Sequence, residues 1–398
     1  MEGKRLLHSI SLKNLLSYGS EGVTLELEPL NVLIGPNASG KSNLVEALGL
    51  LAATPRDFLV PFREGGGAFA DWLWKGSVKS PIASMAVVVD GAGMGPGPAI
   101  ERLAYLISFT VSDDRLRIVK ESLAGDGKRI LDRGPLEVNI GPSAGLLAAL
   151  PDPKQIARTK IDQQQSLLSQ IRDPIYYREL TFVGDQLGRM SFFRGWPFGH
   201  QNMLRRAQDV NLPDDFLLED AANLGLVIND LQNQPETKRL LLERFQQLYE
   251  GVADITTKVR GGTIQVLVHE KGLRNPVPAS RLSDGVLHYL CLLAVLLHPE
   301  PPPLICIEEP ELGLHPDVIP KIAKLLIDAS QRAQLVVTTH SESLVSSLSE
   351  IPESVVICER VLDGTTLRRL ERERLNEWLE RYSLGELWAM GEVGGNRW

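Results

Sequence analysis

The chain has 398 residues, 42 of them Lys or Arg and 50 Asp or Glu, with a formal net charge of -8 and 43% hydrophobic residues. This composition supplies a core and excludes a disordered tail or a collagen-like repeat. Net acidity gives no global attraction for nucleic acid, so any DNA-binding surface must be a local basic patch.

In chain order, residues 6–12, 23–27 and 31–34 read as strands, the last ending at Gly35. A helix follows from Lys41, with Leu44, Val45, Leu48 and Leu51 at helical spacing. Residues 55–97 hold glycine-rich loops, and 82–90, 104–111 and 115–121 alternate like antiparallel strands. From 151 to 249 the character is helical, notably at 166–171, 216–231 and 238–249. Strand patterning returns at 262–270, 304–307, 334–339 and 354–358, separated by helices at 285–297 and 316–329, which is the pattern of a wound parallel sheet. The expected division is 1–150, a helical insertion at 151–255, and 256–398, in an α/β fold.

The longest apolar run, 289–297, is far short of the roughly 20 residues that span a bilayer. The start, Met1-Glu2-Gly3-Lys4-Arg5, leads into alternating rather than continuous apolar residues, so no secretory signal is expected. Cys291, Cys306 and Cys358 are scattered in apolar runs without a CxxC pair and read as core residues of a reducing, cytoplasmic compartment.

Gly35-Pro36-Asn37-Ala38-Ser39-Gly40-Lys41-Ser42 matches GxxxxGK[ST] between an apolar strand and a helix. Such a loop surrounds a phosphate with backbone N–H groups and adds the helix N-terminus behind them. Lys41 would neutralise the β- and γ-phosphates and Ser42 would ligate Mg²⁺. Further on, Leu304-Ile305-Cys306-Ile307-Glu308-Glu309 ends a buried strand in two carboxylates. Adjacent acids at a strand end also suit plain solvation. Paired with a phosphate loop, Glu308 reads as the Mg²⁺ acid and Glu309 as the residue that orients and deprotonates the attacking water.

With these motifs the chain resembles the ABC-type ATPases of the RecF/SMC/overcoming-lysogenisation class, small prokaryotic ATP-binding proteins of AAA type. Arg281-Leu282-Ser283-Asp284-Gly285 resembles the signature motif, and 311–316 resembles the D-loop. Val336-Val337-Thr338-Thr339-His340-Ser341 resembles the strand that ends in a switch histidine, and 10–17 the strand and turn before the nucleotide site. The resemblance implies a P-loop NTPase of ABC-type head architecture, with a mixed sheet and an inserted helical subdomain. It implies ATP and Mg²⁺ as ligands, Ser283 and Gly285 as contacts to a nucleotide on another copy, and His340 as the γ-phosphate sensor. Read without the resemblance, Ser283-Asp284-Gly285 is an ordinary helix cap and His340 a hydrogen-bonded strand end. One departure is that no Gln occurs between Ser42 and Gln155, where the family places its Q-loop glutamine.

One phosphate loop and one signature per chain imply a homodimer that sandwiches two ATP molecules. The segment from 192 to 206, with Phe192, Phe193, Arg194, Trp196, Phe198, Arg205 and Arg206, mixes aromatics and cations as single-strand-binding surfaces do, or packs as a structural loop. Asn223-Leu224 reads as structural, and Trp388 and Trp398 as docking or core residues. The leading expectation is a DNA-directed ATPase of genome maintenance or anti-phage defence, its effector or nuclease on a separate chain. The alternatives are a membrane-transporter ATPase, which the missing glutamine disfavours, and an ATP-binding scaffold with little turnover.

Overall fold

The computed structural model describes residues 3–77, 81–95, 97, 99–134, 138–140, 161–196, 199 and 203–395. Residues 151–160 of the expected insertion, Pro197, Phe198 and His200 of the aromatic segment, and Trp398 lie outside the described residues. The chain divides into two compact units. The phosphate-loop unit comprises Arg5–Met190, Val356–Leu370 and the residues from Gly394 on; the acidic-strand unit comprises Ser191–Val355, Glu371–Val393 and the short stretch before Arg5.

The phosphate-loop unit opens with β1 (Leu7–Lys13), β2 (Val23–Glu26), β3 (Leu30–Ile34), α1 (Lys41–Ala53) and the short α2 (Val60–Glu64). Then come β4 (Ala83–Asp90), β5 (Arg102–Ser112), β6 (Arg115–Gly125), β7 (Lys128–Arg133), β8 (Val138–Ile140), α3 (Leu167–Gln170) and α4 (Arg178–Gly188). Seven strands form an antiparallel sheet in the order β2-β1-β4-β5-β6-β7-β8. Its register follows from two tight hairpins. Asp113 and Asp114 (φ 52° and 55°) join β5 to β6, and Asp126 and Gly127 (φ 48° and 75°) join β6 to β7. Two successive positive φ values are what a two-residue turn matched to strand twist requires. Burial then alternates along β4, where Ala83, Met85, Val87 and Val89 face the core. Phe58, just past α1, sets its ring edge-on to Phe109 of β5 at 5.6 Å, and Phe62 meets the same ring at 5.7 Å.

A buried ion pair ties this sheet to the segment entering α3. The Glu121 carboxylate, fully buried on β6, accepts from Ser166 Oγ (2.6 Å), Tyr105 Oη (2.9 Å), Leu167 N (2.9 Å) and Arg133 Nη1 (3.3 Å). Arg133 also donates to the backbone oxygens of Gln165 and Asp162. Burial, with the Glu121 charge beside it, holds the Tyr105 phenol well above its ordinary range, so it stays a donor.

The acidic-strand unit begins with β9 (Ser191–Phe193), β10 (Gln208–Asp209), α5 (Leu224–Asn233), α6 (Pro235–Gln246), β11 (Val252–Arg260), β12 (Thr263–Glu270) and β13 (Val277–Pro278). It continues with α7 (Asp284–Leu296), β14 (Leu304–Glu308), α8 (Ile319–Ser330), β15 (Gln334–Thr338) and α9 (Glu342–Ser346). The hairpin of β16 (Val355–Val361) and β17 (Gly364–Arg369) then returns to the phosphate-loop unit, before α10 (Arg372–Leu379) and α11 (Leu384–Ala389) close the acidic-strand unit. β15, β14 and β9 are adjacent and parallel, and β14 and β15 are almost wholly buried, as central parallel strands are.

The stretch expected as a helical insertion is shared between the units: its described residues up to Met190 go with the phosphate-loop unit and those from Ser191 with the other. The helix expected over 216–231 starts only at Leu224. Asn223 is the reason, because its Nδ2 donates to the Pro213 and Phe216 carbonyls while its Oδ1 accepts from Leu218 N. Side-chain bonds of this kind hold a loop in place of helical turns. β11, which the sequence pattern left unread, pairs with β12 along its whole length. No helix of the described residues is long and apolar enough to cross a membrane.

The Glu121–Arg133 pair is testable by denaturation. Arg133→Met leaves the carboxylate buried without its cation and is expected to cost about 3–5 kcal/mol of unfolding free energy. A loss under about 1 kcal/mol would show that the neutral donors alone satisfy Glu121.

Candidate functional site

In the phosphate-loop unit, β3 runs into residues 35–42 and α1 starts at Lys41. Three loop residues have positive φ: Gly35 (147°), Ala38 (63°) and Gly40 (106°). Gly40 is left-handed and also crowded, since a Cβ there would lie 2.3 Å from Thr365 Oγ1 and 2.7 Å from Ser17 Oγ. No side chain caps α1, and a helix N-terminus of this kind favours an anion. Asn37, Ala38 and Ser42 are exposed, whereas Ser39, Gly40 and Lys41 are buried. Lys41 Nζ donates to the carbonyls of Gly35 (2.7 Å) and Pro36 (3.0 Å), which folds the ammonium back over the loop where phosphates would sit.

In the acidic-strand unit, β14 ends at Glu308 opposite Thr338 of β15. Glu309 follows in the left-handed region (φ 47°), its N–H bonded to Thr338 O at 2.9 Å. Strain of this kind at a carboxylate is held in place by its surroundings and points to a role for that side chain. The brace is Glu311, whose Oε1 accepts from Thr339 Oγ1 (2.6 Å) and His340 N (3.0 Å), joining the loop after β14 to the end of β15. His340 Nε2 thereby comes 3.9 Å from Glu309 Oε1, with both side chains partly exposed.

Ser283 caps α7, its Oγ accepting from Val286 N at 3.3 Å. The cap and the signature reading are compatible, because the exposed hydroxyl keeps its own proton to donate. A Cβ on Gly285 would meet Gly313 O at 2.8 Å, so glycine here lets the backbone of the loop after β14 approach.

Two arginines of the 192–206 segment, expected there as cations of a nucleic-acid surface or a structural loop, bear on these groups. Arg205, almost buried, donates to Asp284 Oδ1 (2.6 Å) and to the Leu282 carbonyl, holding both flanks of Ser283. Arg194 follows β9, whose Phe193 pairs with Ile307, and its Nε lies 3.9 Å from Glu308 Oε1. The parallel register is the signal that could have placed Arg194 beside Glu308, and it is absent from the linear pattern. Phe192, Phe193 and Trp196 are buried, so the described part of this segment packs inward and is no stacking surface. Trp388 is buried in α11 as well, at 9% exposure.

The sequence-derived residues thus fall into two sets. Asn37, Ala38, Ser39, Gly40, Lys41 and Ser42 gather in one unit; Ser283, Gly285, Glu308, Glu309 and His340 lie in the other, with Glu309 and His340 brought together. Among the described residues no three His, Cys, Asp or Glu are grouped so as to hold a metal ion by themselves. Ser42, in one unit, and Glu308, in the other, each carry an oxygen donor of the kind that Mg²⁺ takes.

The sequence model of one family, described as "AAA domain, putative AbiEii toxin, Type IV TA system", matches residues 30–88 and 157–346. An "ATP/GTP phosphatase" of Helicobacter pylori is 20% identical over 361 residues, covering 87% of this chain and 88% of its own. Two crystal structures share the fold. An Smc head domain from Pyrococcus furiosus, with an extended coiled coil and bound to the C-terminal domain of ScpA, superposes with TM-score 0.58 at 14% identity, covering 94% of this chain and 98% of that one. An Smc head domain with a coiled coil and joint from Pyrococcus yayanosii gives TM-score 0.51 at 11% identity, covering 94% and 99%. The fold is that of an α/β P-loop NTPase.

Two outcomes are expected. Gly40→Ala combines a disfavoured φ with a clash and should weaken ADP binding at least about tenfold in calorimetry. His288 of α7 is held down to about 4 by burial, against a hydrogen bond with the Leu312 backbone that pushes it up. The unfolded chain therefore binds a proton that the folded chain refuses between about pH 6.5 and 4. This contribution to stability is complete above that window and is lost as pH falls through it. His288→Phe should remove about 2 kcal/mol of the destabilisation measured between pH 7 and pH 5.

Proposed function

The chain belongs to this AAA-domain family and is an ATPase, and from that premise we propose that it is an ATP-driven switch that dimerises around nucleotide and acts with a separate effector chain. The observation that carries this reading is the phosphate loop with its uncapped helix N-terminus and crowded Gly40. In the proposed scheme Lys41 and the loop N–H groups neutralise the phosphates, and Ser42 and Glu308 serve Mg²⁺. The ion, when bound, offsets charge on the β- and γ-phosphate oxygens. Glu309 orients water for attack on the γ-phosphorus and takes its proton, and His340 beside it senses the γ-phosphate.

A single signature segment per chain supports head-to-tail pairing, in which Ser283 and Gly285 contact nucleotide on a second copy. Closure on ATP and release after hydrolysis make the cycle a switch. Direction toward DNA, in genome maintenance or anti-phage defence, rests on the resemblance, while the family description names a putative AbiEii toxin of a Type IV TA system. The buried aromatics of the 192–196 stretch remove one of its supports. A cytoplasmic setting suits the three cysteines, which are free and buried. The Cys358 thiol is pushed up to about 12 by burial, which makes it unreactive.

Phosphate release tests the scheme. Glu309→Gln is expected to lower kcat about 10²–10⁴-fold while ATP binding persists, and to trap an ATP-dependent dimer detectable by light scattering. Absence of turnover in the unmodified chain despite tight ATP binding would favour a scaffold. A rate unmoved by DNA or by the product of a neighbouring gene would remove the DNA-directed part.

A further inference from the structure

We propose that Thr365 and Tyr18 are positioning residues of the phosphate loop, whose hydroxyls hold the Ser39 and Gly40 carbonyls from behind and so aim the next two N–H groups at the nucleotide phosphates. The inference goes beyond the switch reading and needs only that residues 35–42 bind nucleotide.

A trans peptide is planar, and its C=O and N–H point in opposite directions. Fixing the carbonyl of one residue therefore fixes the N–H of the next. Thr365 Oγ1 lies 2.8 Å from Ser39 O and 2.7 Å from Ser17 Oγ. Its one proton is offered to both acceptors, the Ser39 carbonyl and Ser17 Oγ. The Gly40 N–H consequently faces away from Thr365. Tyr18 Oη donates to Gly40 O at 3.0 Å, beside the helical bond from Leu44 N (3.2 Å), and the Lys41 N–H faces away from both donors. Burial first, and then the neighbouring Cys358, hold the Tyr18 phenol well above its usual range, so it remains a donor.

The holding groups are themselves fixed. Thr365, Ser17 and Tyr18 are all buried. Thr365 N donates to Ser17 O at 2.8 Å, and Tyr18 and Leu15 exchange backbone bonds across a tight turn. Within that turn Leu16 has φ 51°, an uncommon value for a branched residue, and its N–H is anchored on Trp72 O. At the turn of the β16–β17 hairpin, a Cβ on Gly19 would collide with Asp363 O. Thr365 thus comes from β17, more than 300 residues beyond the loop that it orients.

Such a clamp acts on the bound ground state and on the transition state alike, so its loss raises KM and leaves kcat in place. The experiment measures kcat and KM for Mg-ATP, the ADP dissociation constant by calorimetry, and the melting temperature without nucleotide. Thr365→Val and Tyr18→Phe should each weaken ADP binding and raise KM about 5- to 10-fold with kcat within about twofold, the magnitude of one lost hydrogen bond. Thr365→Ser keeps the hydroxyl and should restore ADP binding. The proposal is overturned if Thr365→Val or Tyr18→Phe lowers the melting temperature but leaves ADP affinity within about twofold of the unmodified chain, since that marks a purely structural contact. It is equally overturned if Thr365→Ser loses as much affinity as Thr365→Val. Tyr18→Phe removes one oxygen and no volume, so it decides the matter even where Thr365→Val fails to fold.

Discussion

The space behind Gly40 is the constraint on which the nucleotide loop depends. A phosphate loop is usually described as a local motif of eight residues, yet here its backbone is held against Thr365 and Ser17 so closely that no side chain fits between them. Gly35 repeats the arrangement one turn earlier, where a Cβ would lie 2.2 Å from Cys358 O. Both glycines combine positive φ with contact to the β16–β17 hairpin or the turn before β2. Conformational freedom alone would leave the loop floppy. Close packing on distant backbone converts that freedom into one conformation, and preorganised N–H groups bind an anion without the cost of ordering them at the moment of binding.

The acidic strand solves a different problem. Three carboxylates, Glu308, Glu309 and Glu311, fall within four residues and repel one another. The fold assigns each a separate neighbour: Arg194 faces Glu308, His340 approaches Glu309, and Glu311 Oε1 takes the Thr339 hydroxyl and the His340 N–H. Glu311 therefore works as a structural brace, and it is this brace that brings the imidazole toward the strained Glu309. Strain at Glu309 and the hydrogen bonds of Glu311 are parts of one arrangement, because the left-handed turn at Glu309 redirects the chain so that Glu311 Oε1 can reach back across to the end of β15.

The segment after β9 shows how a composition signal can be turned inward. Aromatics next to arginines suggest a surface for stacked bases, but Phe192, Phe193 and Trp196 are core residues. Trp196 meets His288 of α7 edge-on at 5.0 Å. Arg205 spends its donors on the backbone and carboxylate around Ser283. Side chains that look like a ligand-facing set instead fix the segment that caps α7.

Much of this protein was legible in its sequence, for a physical reason. The phosphate loop, the apolar strands of residues 304–307 and 334–338 and the helix after Lys41 are set by local rules: glycine where φ is positive, continuous apolar runs where both strand faces are buried, and helical spacing where one face is. The helix start at Leu224 was misread because Asn223 binds three backbone groups of its own loop, an outcome that periodicity does not register. Arg194 beside Glu308 depends on strand register, and Thr365 behind Ser39 depends on a contact across 326 positions. The motifs determined which groups could bind and cleave a nucleotide. Only tertiary packing decided which way those groups point, because a hydrogen bond acts over about 3 Å in space and takes no account of separation along the chain.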